Sequence, residues 1–352
     1  MSLDTIQKLK RYIKVITLLI FNNNFLQKYF NNLIIKILII LFLIFVCIFY
    51  FLKEIENYDY VNFNFLDVGQ GDASIIEIHN KNKNTIRLMI DTGRNNRVIT
   101  SIEKLNNNLL SSNNLNMLKY FFNKDIDILL LTHNDDDHVG MRCDIINKYN
   151  VKRIIISSSM STSTLLACDK NNIIKNKLDL TDNFLENQEK KILLQYVYAG
   201  DEINIRNVNI KILNPPSPYA TGTSLTAKEL SRMGDNNKSI VALVTAYNKK
   251  ALYTGDIDKL DELRIVNESI RVGGVATHPL KDLYLLKVAH HGSDGSSGQA
   301  FIKYVSPEIS IISVGKNNYG HPSPRVLDLL TRSSSTIYHT DTAGNITFRI
   351  KP

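Results

Sequence analysis

Residues 126–140 read IDILLLTHNDDDHVG, an apolar run that turns abruptly into two histidines flanking three aspartates. A short apolar run bounded by polar residues is the pattern of a buried strand. The polar residues then lie just beyond a strand end, where mixed α/β folds place their chemistry. Adjacent aspartates repel one another unless a cation is close, and His with carboxylate at these spacings suits divalent zinc, manganese or iron. The bland alternative is an acidic turn capping a helix from Val139, with Asp137 as the cap. Such a cap does not require His133 and His138.

Two later motifs add donors of the same kind. Thr254-Gly255-Asp256 follows a strand and offers a carboxylate able to bridge two metals, and His290-His291-Gly292-Ser293 follows another and offers imidazole. From Tyr60 onward short strand-like runs alternate with turns: Val61–Leu66, Ala73–Ile78, Thr85–Ile90, Ile126–Leu131, Arg153–Ser157, a hairpin over Glu202–Leu213, Ser239–Thr245, Ala251–Tyr253, Leu285–Ala289, Ile309–Val314, Ile337–His339 and Ile346–Ile350. Helical stretches lie near Ile99–Leu110, Asn116–Phe122, Val139–Lys148 and Pro324–Arg332, the last with Ser323 as N-cap. The Asn-rich stretch Asn106–Asn116 reads as a loop or a decorated helix end.

A second constraint sits near the N-terminus. Leu33–Leu52 reads LIIKILIILFLIFVCIFYFL, long enough to span hydrocarbon as a helix. Lys8, Lys10, Arg11, Lys14 and Lys28 precede it, while Glu54, Glu56 and Asp59 follow with Lys53. The basic flank stays cytoplasmic, so the rest of the chain faces outward. Tyr12–Phe21 is too short to span and suits an interface. The organisation expected is a cytoplasmic or interfacial segment over 1–32, a transmembrane helix over 33–52 and a catalytic domain over 60–352. The formal charge of +8 is a weak signal for nucleic acid or anionic membrane, and no helix-turn-helix, RRM or zinc-finger pattern accompanies it. Cys47, Cys143 and Cys168 fit neither a disulfide framework nor a CxxC zinc site, and read as buried or incidental thiols.

FLDVGQGD, DTG, HNDDDHVG, TGD and HHGS, followed by GKNNYGHPSP and TDTAGNITFRI, resemble the metallo-β-lactamase superfamily, and in particular the hydrolase domain of ComEC-type competence proteins and its stand-alone relatives. The likeness runs from Val61 to Ile350. It implies a mixed α/β (α+β) fold, a four-layer αββα sandwich, here preceded by one transmembrane helix. It matches His133 and Asp135 to one metal and Asp137 and His138 to the other, with Asp256 bridging and His290 as the late histidine, His291 being its alternate. Asp137 also orients the attacking water or hydroxide. The sequence departs from the superfamily at position 135, where Asp replaces a histidine. The histidine before TGD is absent, and Asn237 or a water takes its place. One or two Zn2+, or Mn2+, are the implied cofactors.

Around this set lie supporting candidates. Asp67 and Gln70, in the turn before Asp72, and Asp91 of DTG are placed to touch the ligands, or only to form turns. Ser293 is a hydrogen-bond donor, and His321 is placed to hold a phosphate or protonate a leaving group. The segments Leu260–Tyr284 and Ser217–Gly234 are candidate lids. The function expected is hydrolysis of a phosphodiester, in nucleic acid or at the cell surface, by metal-activated hydroxide. A single span cannot form a transport channel, so a part in DNA uptake requires a membrane partner. The alternatives are another ester or amide hydrolase of the same fold, or a non-catalytic membrane-tethered binding module.

Overall fold

The computed structural model describes residues 40–45, 58–81, 83–112, 125–157, 160–168, 173–175, 192–217, 229, 232–277 and 279–352. Met1–Asn57 and Tyr58–Pro352 are separate compact units. In the first, residues 40–45 are helical and expose Ile40, Leu41, Phe42, Ile44 and Phe45. Most of the expected span Leu33–Leu52, and all of Tyr12–Phe21, lie outside the described residues, and no described helix is long and apolar enough to cross a membrane.

The second unit runs β1 (Tyr60–Phe65), β2 (Ser74–His79), β3 (Ile86–Ile90), α1 (Arg97–Ser112), β4 (Asp125–Leu131), α2 (Asp136–Val139), α3 (Arg142–Lys148), β5 (Asn150–Ile156), α4 (Thr162–Leu166), β6 (Ile173–Lys175) and β7 (Ile192–Tyr196). It continues through β8 (Glu202–Ile205), β9 (Val208–Asn214), β10 (Val241–Ala246), β11 (Lys249–Tyr253), α5 (Lys259–Thr277), β12 (Leu285–Lys287), α6 (Gln299–Val305), β13 (Ile309–Ile312), α7 (Pro324–Arg332), β14 (Thr336–His339), α8 (Thr340–Ala343) and β15 (Ile346–Ile350). Two sheets result, ordered β15-β1-β2-β3-β4-β5-β7-β6 and β14-β13-β12-β11-β10-β9-β8.

Period-two alternation explains the layering. Phe63, Phe65, Ile76, Leu88, Ile128 and Leu130 face Ile212, Val244, Tyr253, Leu285 and Ile311 between the sheets. Their neighbours Ile75, Met89, Leu129 and Leu131 point the other way, onto Val98 and Ile102 of α1 and Ile145 of α3. Val241, Leu243, Leu252 and Leu286 likewise meet Ile265, Phe301, Val326 and Leu330 of α5, α6 and α7. Strands buried on both faces are largely apolar, which is why β4 ends in the run Ile128–Leu131; its buried Asp127 is met by Arg87 N at 2.8 Å. Ser323 caps α7 as expected, its Oγ accepting from Val326 N at 3.3 Å.

Four expectations change. The helix expected over Val139–Lys148 is two, because Met141 N donates to Gly93 O at 3.1 Å instead of continuing the helical ladder. Asp137 lies inside α2 and does not cap it; the N-cap is Asp135. The segment beginning at Leu260 is no lid: α5 buries Ile265, Val266 and Glu262 against the second sheet's outer layer. Cys143 and Cys168 are a disulfide, with Cα atoms 4.9 Å apart, tying α3 to the end of α4 across a sequence separation of 25. Spacing alone could not report that the chain folds back there. The expected helix Asn116–Phe122, most of Ser217–Gly234 and the end of Asn106–Asn116 fall outside the described residues.

One polar row crosses the first sheet. Arg349 of β15 pairs with Asn62 of β1, Asn62 with Glu77 of β2, and Glu77 with Arg87 of β3. Arg87 Nε donates to Glu77 Oε1 at 3.0 Å and Asn62 Nδ2 to Oε2 at 3.2 Å. Burial pushes the Glu77 carboxyl up, but Arg87, His79 and Asn62 together outweigh it and the pKa falls to about 2. Arg87→Met leaves that charge buried and unpaired, and is expected to cost about 3–5 kcal/mol at neutral pH. Glu77's contribution is complete above the ordinary 4.5 of its carboxyl and fades as pH falls toward 2. Urea unfolding should therefore show the gap between wild type and variant closing in acid; an equal gap near pH 3 and pH 7 refutes the assignment.

Candidate metal centre

The polar residues singled out above gather where strands of both sheets end. Thr132 and His133 follow β4, His138 ends the first turn of α2, Asp91 follows β3, Asp256 follows β11, and His290 and His291 follow β12. The turn before β2 lies against α2, with Asp72 N donating to Asp137 O at 3.0 Å. Gly71, at φ +135°, approaches Asp137 O too closely for any β-carbon, so this contact requires glycine.

Asp91, itself left-handed at φ 58°, organises the histidines. Its carboxylate accepts from Thr132 N at 2.8 Å, Thr132 Oγ1 at 2.7 Å and His138 Nδ1 at 2.8 Å. The carboxylate can only accept, which assigns a proton to His138 Nδ1. Thr132 spends its single hydroxyl proton on Asp91, so its oxygen accepts from His133 Nδ1 at 3.0 Å. His291 Nδ1, at 2.8 Å from Ser313 O, must donate as well, since a carbonyl cannot. Hydrogen bonding thus fixes a proton on Nδ1 of all three imidazoles and turns Nε2 inward to the centre, the atom that offers its lone pair to a metal once it gives up its own proton.

Those three Nε2 atoms, with Asp256 Oδ1, are buried without a hydrogen-bond partner. Each such orphan costs about 1–3 kcal/mol, and their convergence fits a cation. His133, His138 and Asp256 offer donors within 4.8 Å of one another. Asp256 faces both ways: Oδ1 lies 3.2 Å from His138 Nε2, and Oδ2 lies 3.6 Å from His291 Nε2 and 3.7 Å from His290 Nε2. Asp137 Oδ2 stands 3.2 Å from His291 Nε2, and Asp135 Oδ2 3.6 Å from His133 Nε2. Every residue expected as a ligand is therefore at this one place. Of the two adjacent histidines, His291 is buried and aimed inward, whereas the His290 side chain is 34 % exposed. Both are left-handed, at φ 49° and 53°. Non-glycine residues hold that conformation only where surroundings impose it; here the Ser313 carbonyl fixes His291.

Asp72, Lys287 and Thr132 escaped the sequence reading. Lys287 is buried and its Nζ lies 2.5 Å from Asp72 Oδ2. Asp72 also forms a cluster with His138 and His291. It approaches their Nδ1 atoms, at 3.9 and 3.3 Å, and those nitrogens already serve Asp91 and Ser313. Asp72 is therefore better placed to support the imidazoles than to bind a metal. A lysine within the apolar run LLKVA was the available signal, because a charge in a buried strand must find a partner.

The electrostatics follow the acidic excess. Burial lowers the His291 pKa, but Asp256 and Asp72 outweigh it and raise it to about 10; His138 is raised for the same reasons. Asp256 is lowered, burial being outweighed by His138 and His291. Without another cation, protons on the imidazoles balance these carboxylates. Of the supporting candidates, Asp91 touches a histidine directly. Asp67 Oδ1 accepts from Gly69 N at 3.1 Å, Gln70 Oε1 from Gly315 N at 3.3 Å, and Ser293 Oγ from Gly295 N at 3.2 Å. Asn237 Nδ2 donates to Asp258 Oδ2 at 2.9 Å. These four shape the surrounding loops.

A family model of the metallo-beta-lactamase superfamily matches residues 66–161. The chain is 28% identical over 290 residues to ComE operon protein 3 of Bacillus subtilis, covering 81% of this chain and 32% of that protein. It is 25% identical over 284 residues to Recombination protein 2 of Haemophilus influenzae, covering 80% and 28%. Over 127 residues it is 34% identical to Competence protein ComA of Neisseria gonorrhoeae, covering 35% and 17%. The chain thus spans a third or less of the length of these relatives. Residues 66–161 thus carry a metallo-β-lactamase superfamily domain, set in a mixed α/β fold with two sheets. Within the superfamily the chain is a homologue of ComEC-type competence proteins.

If Asp91 sets the imidazole tautomers, Asp91→Asn weakens metal binding about 10- to 100-fold. Titration calorimetry with Zn2+ or Mn2+ on the full chain checks this. Unchanged affinity in a folded variant would remove Asp91 from the assembly.

Proposed function

We propose that this domain is a metal-dependent hydrolase that cleaves a phosphodiester, in nucleic acid or at the cell surface. The observation that carries the reading is the convergence of three orphaned, buried Nε2 atoms on the two oxygens of Asp256. His133, His138 and Asp256, with Asp135 beside them, would hold one divalent ion, His138 grouping with His133 and not, as the resemblance implied, with Asp137; Asp256, His291 and Asp137, with His290 at the rim, would hold a second. When bound, Zn2+ or Mn2+ supplies Lewis acidity toward a phosphoryl oxygen and acidifies water.

The remaining steps belong to the chain's own groups. Asp137, whose side chain is 25% exposed, accepts the hydrogen bond that aims the attacking water and takes up its proton. His321 closes the other side, its ring 5.4 Å from that of His290 and 6.4 Å from that of His291. Its Nδ1 is buried and unpartnered. Burial and the neighbouring imidazoles lower its pKa; an anionic phosphate beside it would restore the protonated form, which donates to the departing oxygen. Lys287 keeps Asp72 ionised, so Asp72 can hold the Nδ1 sides of His138 and His291.

We further infer a single-pass anchor over Leu33–Leu52 with the hydrolase unit on the extracytoplasmic side. Two observations support this: the exposed apolar turn at residues 40–45, and the Cys143–Cys168 disulfide, a bond of oxidising compartments. A part in DNA uptake, beside a separate membrane partner, accords with the competence proteins among the relatives.

Turnover of bis-p-nitrophenyl phosphate and of single-stranded DNA with Zn2+ or Mn2+ tests the reading. His133→Ala and Asp256→Ala are each expected to lower kcat by about 100-fold or more. Metal retained without turnover redirects the assignment to another ester or amide; neither metal nor turnover overturns it in favour of a tethered binding module.

A further inference from the structure

At the rim of the centre, the loop following β13 presents Tyr319, which is 72 % exposed, more than any other large aromatic among the described residues. A lone exposed tyrosine is ordinary; this one is held in place. Asn317 Oδ1 accepts from Tyr319 N at 3.0 Å and His321 N at 3.1 Å, and Asn317 Nδ2 donates to Gly315 O at 2.9 Å and His321 O at 2.8 Å. One side chain thus makes four hydrogen bonds to the loop backbone. The Tyr319 ring lies 5.8 Å from that of His321, which in turn lies 5.4 Å from His290. A planar group resting on Tyr319 is therefore one imidazole away from the metal-ligand cluster.

The same rim is basic. Lys316 is exposed two residues after Val314, and Gly315 packs against the Gly69–Gln70 turn. Exposed Arg97 lies on the far side of that turn, its Nη1 3.1 Å from where a β-carbon of Gly69 would stand. Neither Lys316 nor Arg97 has a carboxylate partner among the described residues. An exposed aromatic face on a loop whose backbone is pinned, with unpaired cations on the same loop and beside the adjoining turn, suits an unpaired nucleobase between two phosphates.

We propose that Tyr319 is a base-stacking residue that selects single-stranded nucleic acid, with Lys316 and Arg97 taking the adjoining phosphates. In a duplex the base faces are already stacked, so this subsite discriminates against double strands. The proposal rests on the phosphodiesterase reading for what happens next, but not for binding itself.

The test is equilibrium binding, by fluorescence anisotropy, of labelled single-stranded oligothymidylate and oligouridylate and of an abasic strand of equal length. The protein is the full chain carrying Asp256→Asn, so turnover plays no part. We expect base-bearing strands to bind about 5- to 150-fold more tightly than the abasic strand. Tyr319→Ala should erase that ratio and Tyr319→Trp should keep it. Equal preference for both sugars marks the base as the group recognised. A wild-type rim that binds base-bearing and abasic strands alike, or a Tyr319→Ala chain that keeps the ratio, overturns the proposal. Failure of the hydrolase reading shows separately, as absent turnover by the chain with Asp256 intact while the binding ratio holds.

Discussion

The carboxylate of Asp91 is the point on which the centre depends. It closes β3, receives the backbone and hydroxyl of Thr132 at the end of β4, and holds His138 from α2. Through Thr132 it also fixes His133. One buried acid thereby locks two strand ends together and sets the proton position of two imidazoles. That arrangement removes the rotamer and tautomer freedom that metal binding would otherwise have to freeze.

Charge is arranged in two tiers around this point. Asp72 is neutralised by Lys287 behind the histidines, and Asp256 faces the open side with both oxygens toward imidazole nitrogens. The rear pair is complete within the protein, while the front is not. Replacing the orphaned nitrogens by any neutral arrangement would leave Asp256 buried without a counterion, a costly state. The acidic front therefore favours a bound cation over a purely structural role for the motif. The rim beyond it reverses sign at the exposed Arg97 and Lys316.

The two-sheet core supplies the rigidity for this. Each strand that carries a site residue at its end is buried on both faces, so the donors project from a base that cannot shift without repacking three apolar layers. The disulfide between α3 and the end of α4 tightens the outer layer next to α2, the element that contributes Asp137 and His138.

Much of this was legible in residue order alone. Short apolar runs bounded by turn residues located most strands to within a residue or two, because a strand between a core and a helix layer is largely apolar on both faces. The clustering of acids and histidines after β4, β11 and β12 was likewise visible, since such residues have no packing use at the ends of buried strands. Local sequence carried His290 as the ligand and His291 only as its alternate: both are next to the same strand, and which one is buried and aimed inward depends on the left-handed turn that holds His291 at Ser313. It could not pair Asp72 with Lys287, join Cys143 to Cys168, or reveal Asp91 as the hub, because each contact spans 25 or more residues. Nor could it show that the stretch beginning at Leu260 is a structural helix, because its inward face is defined only by the sheet it covers. Composition and periodicity determine which residues must be buried and which must meet an ion; distance in space, set by how the two sheets stack, decides which atoms meet.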